Sequence, residues 1–167
     1  GLYGIVEELL ELDPLSGAAH NSLALISAFG DWDFQAADSE FRRAIELSPS
    51  NAWSHYGYSQ LLAVLRRFDE ARLHLDEARA LDPLRVDYTM TLAALYAWTG
   101  DPGRTYRVWK QAEEIDATYP GLHQGVITGF CSTEHHHEAL AALLGANQKY
   151  PDDPLVLAEL AYCYAVS

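Results

Sequence analysis

Three consecutive histidines, His135, His136 and His137, are the densest set of metal-competent, titratable side chains in this chain. Imidazole ligates transition metals and titrates near neutrality, so the cluster raises a metal centre or a pH sensor. Its spacing argues against a centre: neighbours at a helix start point about 100° apart, whereas helical metal ligands share a face at three or four residues. The segment therefore reads as a turn with one packed ring, His136, and two solvated ones, with the metal or pH-sensing role as the alternative. His55 and His74 stand alone and read as helix-surface or boundary residues. No Gly-rich phosphate loop, nucleophile elbow or carboxylate pair at a defined spacing supplies a reaction. The expectation is a chain that is not an enzyme and uses no cofactor and no metal.

The elements that carry these residues repeat. Ala37, Ala71, Thr105 and Ala139 are 34 residues apart, as are Phe41, Leu75, Trp109 and Leu143, and Ala44, Ala78, Ala112 and Ala146. A second register lies upstream, with Tyr58, Leu92, Val126 and Leu160, then Leu62, Tyr96, Phe130 and Tyr164. Small residues (Ala24, Ser59, Ala93, Ala161) sit between these large ones, where helices must approach closely. Pro14, Pro49, Pro83 and Pro151 close the units, because proline cannot donate the amide proton that would extend a helix. Each repeat thus holds a first and a second amphipathic helix. The pattern predicts an all-α fold of about ten helices in four to five repeats: 2–12, 17–29, 34–47, 52–65, 68–81, 86–98, 103–116, 120–132, 136–149 and 154–166. Asp33, Asp69 and Asp101 stand near helix starts, where a carboxylate can cap free amides.

With this period and these markers the chain resembles the tetratricopeptide-repeat proteins over essentially all its length. The resemblance implies a right-handed α–α superhelix, a solenoid in which each unit buries its apolar face on the next. Asp31 to Asp82, beginning DWDFQAADSEFRRAIELSPSNAWSHYGYSQLLA, further resembles the arrays attached to bacterial winged-helix transcriptional regulators, serine/threonine kinases and adenylate cyclases. Departures fall late: Ile127 takes a small position, Thr105 replaces alanine, and Ala117 stands where a proline would close the third unit.

In such arrays function resides in the concave face lined by first helices. Carried onto this register, the groove positions are Asn21 and Phe29, then Trp53, Tyr56 and Gln60, then Met90 and Trp98, then Gln124, and finally Tyr162. This stripe is aromatic and nearly uncharged, and Tyr and Trp offer large contact area at low entropy cost. Arrays that clamp the acidic tail of chaperones use lysines on first helices, and here no first helix carries one. The implied function is a protein–protein interaction scaffold that holds a protein or peptide ligand in its groove, as part of a bacterial regulator. A small-ligand sensor or an oligomerisation domain is the alternative.

Cys131 and Cys163 lie 32 residues apart, out of the repeat register. First helices of successive units stand about 8–10 Å apart, and a disulfide needs Cα atoms within about 7 Å, so two buried thiols are expected. The formal net charge is −13; residues 1–41 hold eight acids and no Lys or Arg, and residues 111–167 hold eight acids and one base. Such a surface repels phosphate backbones, which sets aside direct nucleic-acid binding. No run reaches the roughly 18 apolar residues of a membrane span, and a cytoplasmic location is expected. Residues 1–14 and 152–167 read as partial repeats, so the single array 1–167 is expected to be a piece of a larger multidomain protein. Leu157, Leu160 and Tyr164 of the last helix would then form a bare apolar strip suited to self-association.

Overall fold

The computed structural model describes residues 2–123, 128–131 and 134–166, and every regular element among them is helical. In chain order these are α1 (Leu2–Leu12), α2 (Gly17–Phe29), α3 (Phe34–Leu47), α4 (Ala52–Val64), α5 (Phe68–Leu81), α6 (Val86–Trp98) and α7 (Pro102–Ile115). A 3-10 turn (Pro120–His123), α8 (Thr128–Cys131), α9 (His136–Lys149) and α10 (Pro154–Ala165) follow. The helix expected over 120–132 is represented by that turn and α8; residues 124–127, with the candidate Gln124, lie outside the described residues. The chain divides into two compact units, residues 1–83 and 84–167.

In the first unit α2 packs on α3 and α4 on α5, the two hairpins meet through α3 and α4, and α1 lies against α2. Ala24, Ala37, Ala44, Ala71 and Ala78, all from the small register, are at most 1% exposed. Phe41 fills the space they leave, and α4 approaches it so closely that a Cβ on Gly57 would stand 2.8 Å from its ring. Glycine is therefore the residue this crossing requires.

The hairpin turns use one backbone device at the repeat interval. Trp32, Arg66 and Gly100, spaced by 34, are left-handed with φ of 58°, 59° and 76°. The next amide in each case bonds back into the first helix: Asp33 N–H to Ser27 O, Arg67 N–H to Leu62 O, Asp101 N–H to Tyr96 O. The span is one residue longer in the first turn, where the 34-residue step becomes 35. Caps then start the helices: Ser16, Asp33, Asn51, Asp101 and Asp153 accept amide protons two or three residues on. Asp69 does not cap; it sits inside the first turn of α5, where it meets the positive end of the helix dipole.

In the second unit α6 packs on α7, and α8 and α9 both pack on α10. Trp109 of α7 is 2% exposed and its indole N–H donates to Leu122 O at 2.7 Å. Cys131 and Cys163 form a disulfide with Cα atoms 4.9 Å apart, against the expectation of two thiols. The 8–10 Å figure separates helix axes, and Cα atoms lie about 2.3 Å off the axis. Residues facing one another across a contact can thus come well within bonding range. Leu160 also departs from expectation: with Val156 and Cys163 it forms the buried stripe of α10, leaving Leu157 and Tyr164 exposed.

Candidate peptide-binding face

α4 presents two faces of different character. Ser54, His55, Tyr58, Leu61 and Leu62 are buried, whereas Trp53, Tyr56, Gln60 and Val64, at helical steps of three and four, line the open side. Trp53 is 44% exposed, with its ring 5.3 Å from that of Tyr56. Gln60 Nε2–H donates to Tyr56 Oη at 3.0 Å, which fixes the phenol edge and leaves both ring faces in place. The three candidates on this helix form one aromatic and amide surface without a charge.

The other candidates divide. Phe29, at the end of α2, is exposed, while Asn21 on the same helix is buried and its Oδ1 accepts no hydrogen bond from the described residues. In the second unit Met90 is buried, and Trp98 of α6 and Tyr162 of α10 are exposed. Asn21 and Met90 occupy the same repeat position as Tyr56, but their shorter side chains are covered where the phenol reaches out.

The buried side of α4 is braced by a polar network. Tyr58 O–H donates to Asp38 Oδ1 at 2.8 Å, and Asp38 also accepts from Arg42 Nε at 2.8 Å and Arg67 Nη1 at 2.9 Å. Arg67 completes its fork on Glu70 at 2.7 and 2.6 Å. Burial, together with the neighbouring Asp38 carboxylate, pushes the Tyr58 phenol up to about 12. Burial alone would raise the Asp38 carboxyl, but the bonds from Arg42 and Tyr58 outweigh it and hold this group below its ordinary value. The network ties α3, α4 and the α5 start together, so the open face stands on a fixed support.

Two histidine positions escaped the sequence reading. His55 and His74 are not isolated: His55 is 7% exposed and its Nδ1 lies 3.0 Å from Nδ1 of His74, on α5. His55 Nε2–H donates to Pro49 O at 3.0 Å. One repeat earlier His20 Nε2 lies 3.1 Å from Pro14 O, and its Nδ1 is 2.6 Å from Glu40 Oε2. The signal was present in the spacing, since His20 and His55 are 35 apart and Glu40 and His74 are 34 apart.

The triple histidine also differs from expectation. His135 stacks on Tyr106 with centroids 4.4 Å apart, His136 Nδ1 lies 2.6 Å from Cys131 O, and His137 alone is exposed. Two rings are half-buried rather than one, because α8 and α7 both reach the start of α9, and the exposed His137 ring lies edge-on to His136. Among the described residues no group of three or more His, Cys, Asp or Glu could hold a metal ion.

The helix pairs, the left-handed turn every 34 residues and the buried small register coincide with a match of residues 28–95 to a family model described as tetratricopeptide repeat. The fold is that of the tetratricopeptide-repeat proteins. Among solved structures the array is similar to TTC0263, a thermophilic TPR protein of Thermus thermophilus. That alignment has a TM-score of 0.75 and 18% identity, and covers 98% of this chain and 89% of that one. It is also similar to YrrB, a TPR protein with an unusual peptide-binding site (TM-score 0.74, 17% identity, 96% and 82% covered). A tetratricopeptide repeat protein from Parabacteroides merdae ATCC 43184 superposes with a TM-score of 0.82 at 13% identity, covering 98% of this chain and 65% of that one. At these identities the likeness shows the fold. Among curated proteins none matches the array by sequence.

Proposed function

We propose that this array binds a polypeptide segment along the open face of its first helices, through apolar and aromatic contacts rather than charge. The Trp53–Tyr56 pair, with Trp53 exposed and Tyr56 half-buried, held by Gln60 and backed by the Asp38 network, is the observation that carries this reading. Tyr and Trp anchors dominate recognition surfaces, and an uncharged stripe suits an apolar or amphipathic segment laid in a groove. The peptide-binding site of YrrB, on the same fold, adds support by analogy. The resemblance of Asp31–Asp82 supports assigning this activity to the interaction region of a bacterial regulator, with one continuous array over 1–167 and a cytoplasmic setting. The acidic surface favours protein over nucleic acid as the partner.

Self-association is a second reading with its own observation: Leu155, Leu157, Tyr162 and Tyr164 are all exposed on α10. Light scattering of the chain and of a Leu157→Glu, Tyr164→Glu variant separates the two readings, since only self-association predicts a change of mass.

The direct test is selection of peptides against the full chain at neutral pH. Joint replacement of Trp53 and Tyr56 by alanine should weaken the selected peptides by about 2 kcal/mol, roughly thirtyfold. Unchanged affinity with intact helicity rejects the α4 face as the site.

A further inference from the structure

His20 and His55 hold one position of the repeat, and each points Nε2 at the carbonyl of the proline closing the preceding unit. A carbonyl only accepts, so in both rings the proton is on Nε2. The other nitrogen then meets the second helix of its own repeat, and here the two repeats part. His20 Nδ1 faces the Glu40 carboxylate, another acceptor, so an N–H on that nitrogen has a partner in place. His55 Nδ1 faces His74 Nδ1, so a single proton must lie between them, donated by His74 to the bare lone pair of His55.

We propose that the His55–His74 pair is a proton-operated latch on α4, shut while it shares one proton and opened when a second imidazole N–H is forced into the contact. The consequence for binding rests on the reading of the α4 face given above: opening would displace the helix that carries Trp53 and Tyr56.

Proton counting sets the order of events. A first added proton goes to Nε2 of His74, away from the contact, and leaves the N–H···N bond in place. A second can go only to Nδ1 of His55, because its Nε2 is already committed to Pro49 O. Two cationic N–H groups then face each other across 3.0 Å with no acceptor between them, and the rings must separate. The surroundings resist even the first charge. Burial, the neighbouring His55 and Arg42 of α3 lower the proton affinity of His74, against weaker support from Glu70 and Glu77 of α5. Asp38 of α3 is occupied by Arg42, Arg67 and Tyr58, and the Tyr58 ring lies 4.7 Å from that of His74. His20 and Glu40 keep to their own pair. Because the folded state depresses His74, its contribution is full above the unfolded value of about 6.5 and falls as the pH drops below it. The third repeat places Thr89 and Val108, neither titratable, at the same two positions.

Long-range 1H–15N spectra of histidine-labelled full-length chain, with amide hydrogen exchange, test the latch between about pH 8 and pH 5. At the upper end His55 should be the neutral Nε2–H tautomer. On acidification α4 and α5 amides should exchange at least tenfold faster than α2 and α3 amides, after correction for intrinsic rates. The His74→Asn variant, whose amide can donate to His55 without titrating, should lose that difference. So should His55→Thr with His74→Val, which copies the third repeat. Equal acceleration in the parent and both variants, or a parent unchanged at about pH 5, overturns the latch. A peptide selected at neutral pH should bind the parent at least tenfold more weakly in acid and His74→Asn nearly equally at both. Exchange that responds without any peptide binding would refute the α4 face while leaving the latch standing.

Discussion

The two units of the chain are held together by different means. The first relies on polar pairs that recur in register: a histidine on a proline carbonyl, its second nitrogen on the next helix, and an arginine–carboxylate–tyrosine network behind α4. The second relies on contacts that do not recur from repeat to repeat, a buried indole at a register position bonded to a backbone carbonyl and a disulfide between α8 and α10. The departures from the repeat pattern, Thr105, Ala117 and Ile127, fall in the same half. Where neighbouring units keep the same small and large residues, helix-on-helix burial suffices and polar groups are free to specialise. Where they do not, single strong contacts take over. The first unit should therefore respond to protons and the second to reductant.

The largest expected effect is on the indole. Trp109→Ala removes a fully packed ring and leaves Leu122 O without its donor, at a cost of about 3–5 kcal/mol. Hydrogen exchange should locate the loss in α6–α9, with α2–α5 keeping their protection, as a chain of nearest-neighbour repeats requires. Equal loss in both units would erase the distinction.

Reduction of Cys131–Cys163, or Cys163→Ser, comes next. Closing a loop of this length restricts the unfolded chain by about 3–4 kcal/mol in the chain-entropy account. Chemical denaturation with and without a dithiol reads it directly, and a midpoint unmoved by reductant would mean that the second unit is held by packing alone.

Crossings in the first unit should be less costly but less forgiving of size. Ala78→Leu overpacks a site with no exposure, and Gly57→Ala drives a methyl into Phe41. Each should cost about 1–3 kcal/mol. A parent-like melting temperature for either variant would show that α3, α4 and α5 can slide apart without penalty.

The smallest effect is a gain. Arg66 is left-handed at a position where Gly100 stands one repeat later. Arg66→Gly relieves strain of about 1–2 kcal/mol at an entropic cost of about 0.5–1, for a net rise of about 0.5 kcal/mol. A fall in stability would assign Arg66 a contact worth more than the strain, its placement over Phe68 being the candidate.

Much of this architecture was legible before any coordinates. Helix starts and ends, the closing prolines, the caps at Asp33 and Asp101 and the small positions at Ala37, Ala71 and Ala112 follow from spacing, because they depend on contacts within a turn or a hairpin. The extra residue near Trp32 was visible as a 35-residue step. Of the candidate face, Trp53, Tyr56 and Gln60 came together because they lie on one helix at steps of three and four.

What the chain's order could not convey is the distance between side chains on different helices. Period and propensity determine that α4 forms and which side turns inward. The rotation of each helix and the gap to its neighbour arise from the whole set of packed side chains. That is why the cysteines, judged by axis separation, were expected apart and are bonded. It is why His55 found His74 rather than solvent, and why Asn21 is covered where Tyr56 stays partly exposed. Local periodicity is written in short-range sterics and hydrogen bonds; cross-helix pairing is decided only when the interior is filled, within tolerances of an ångström or less.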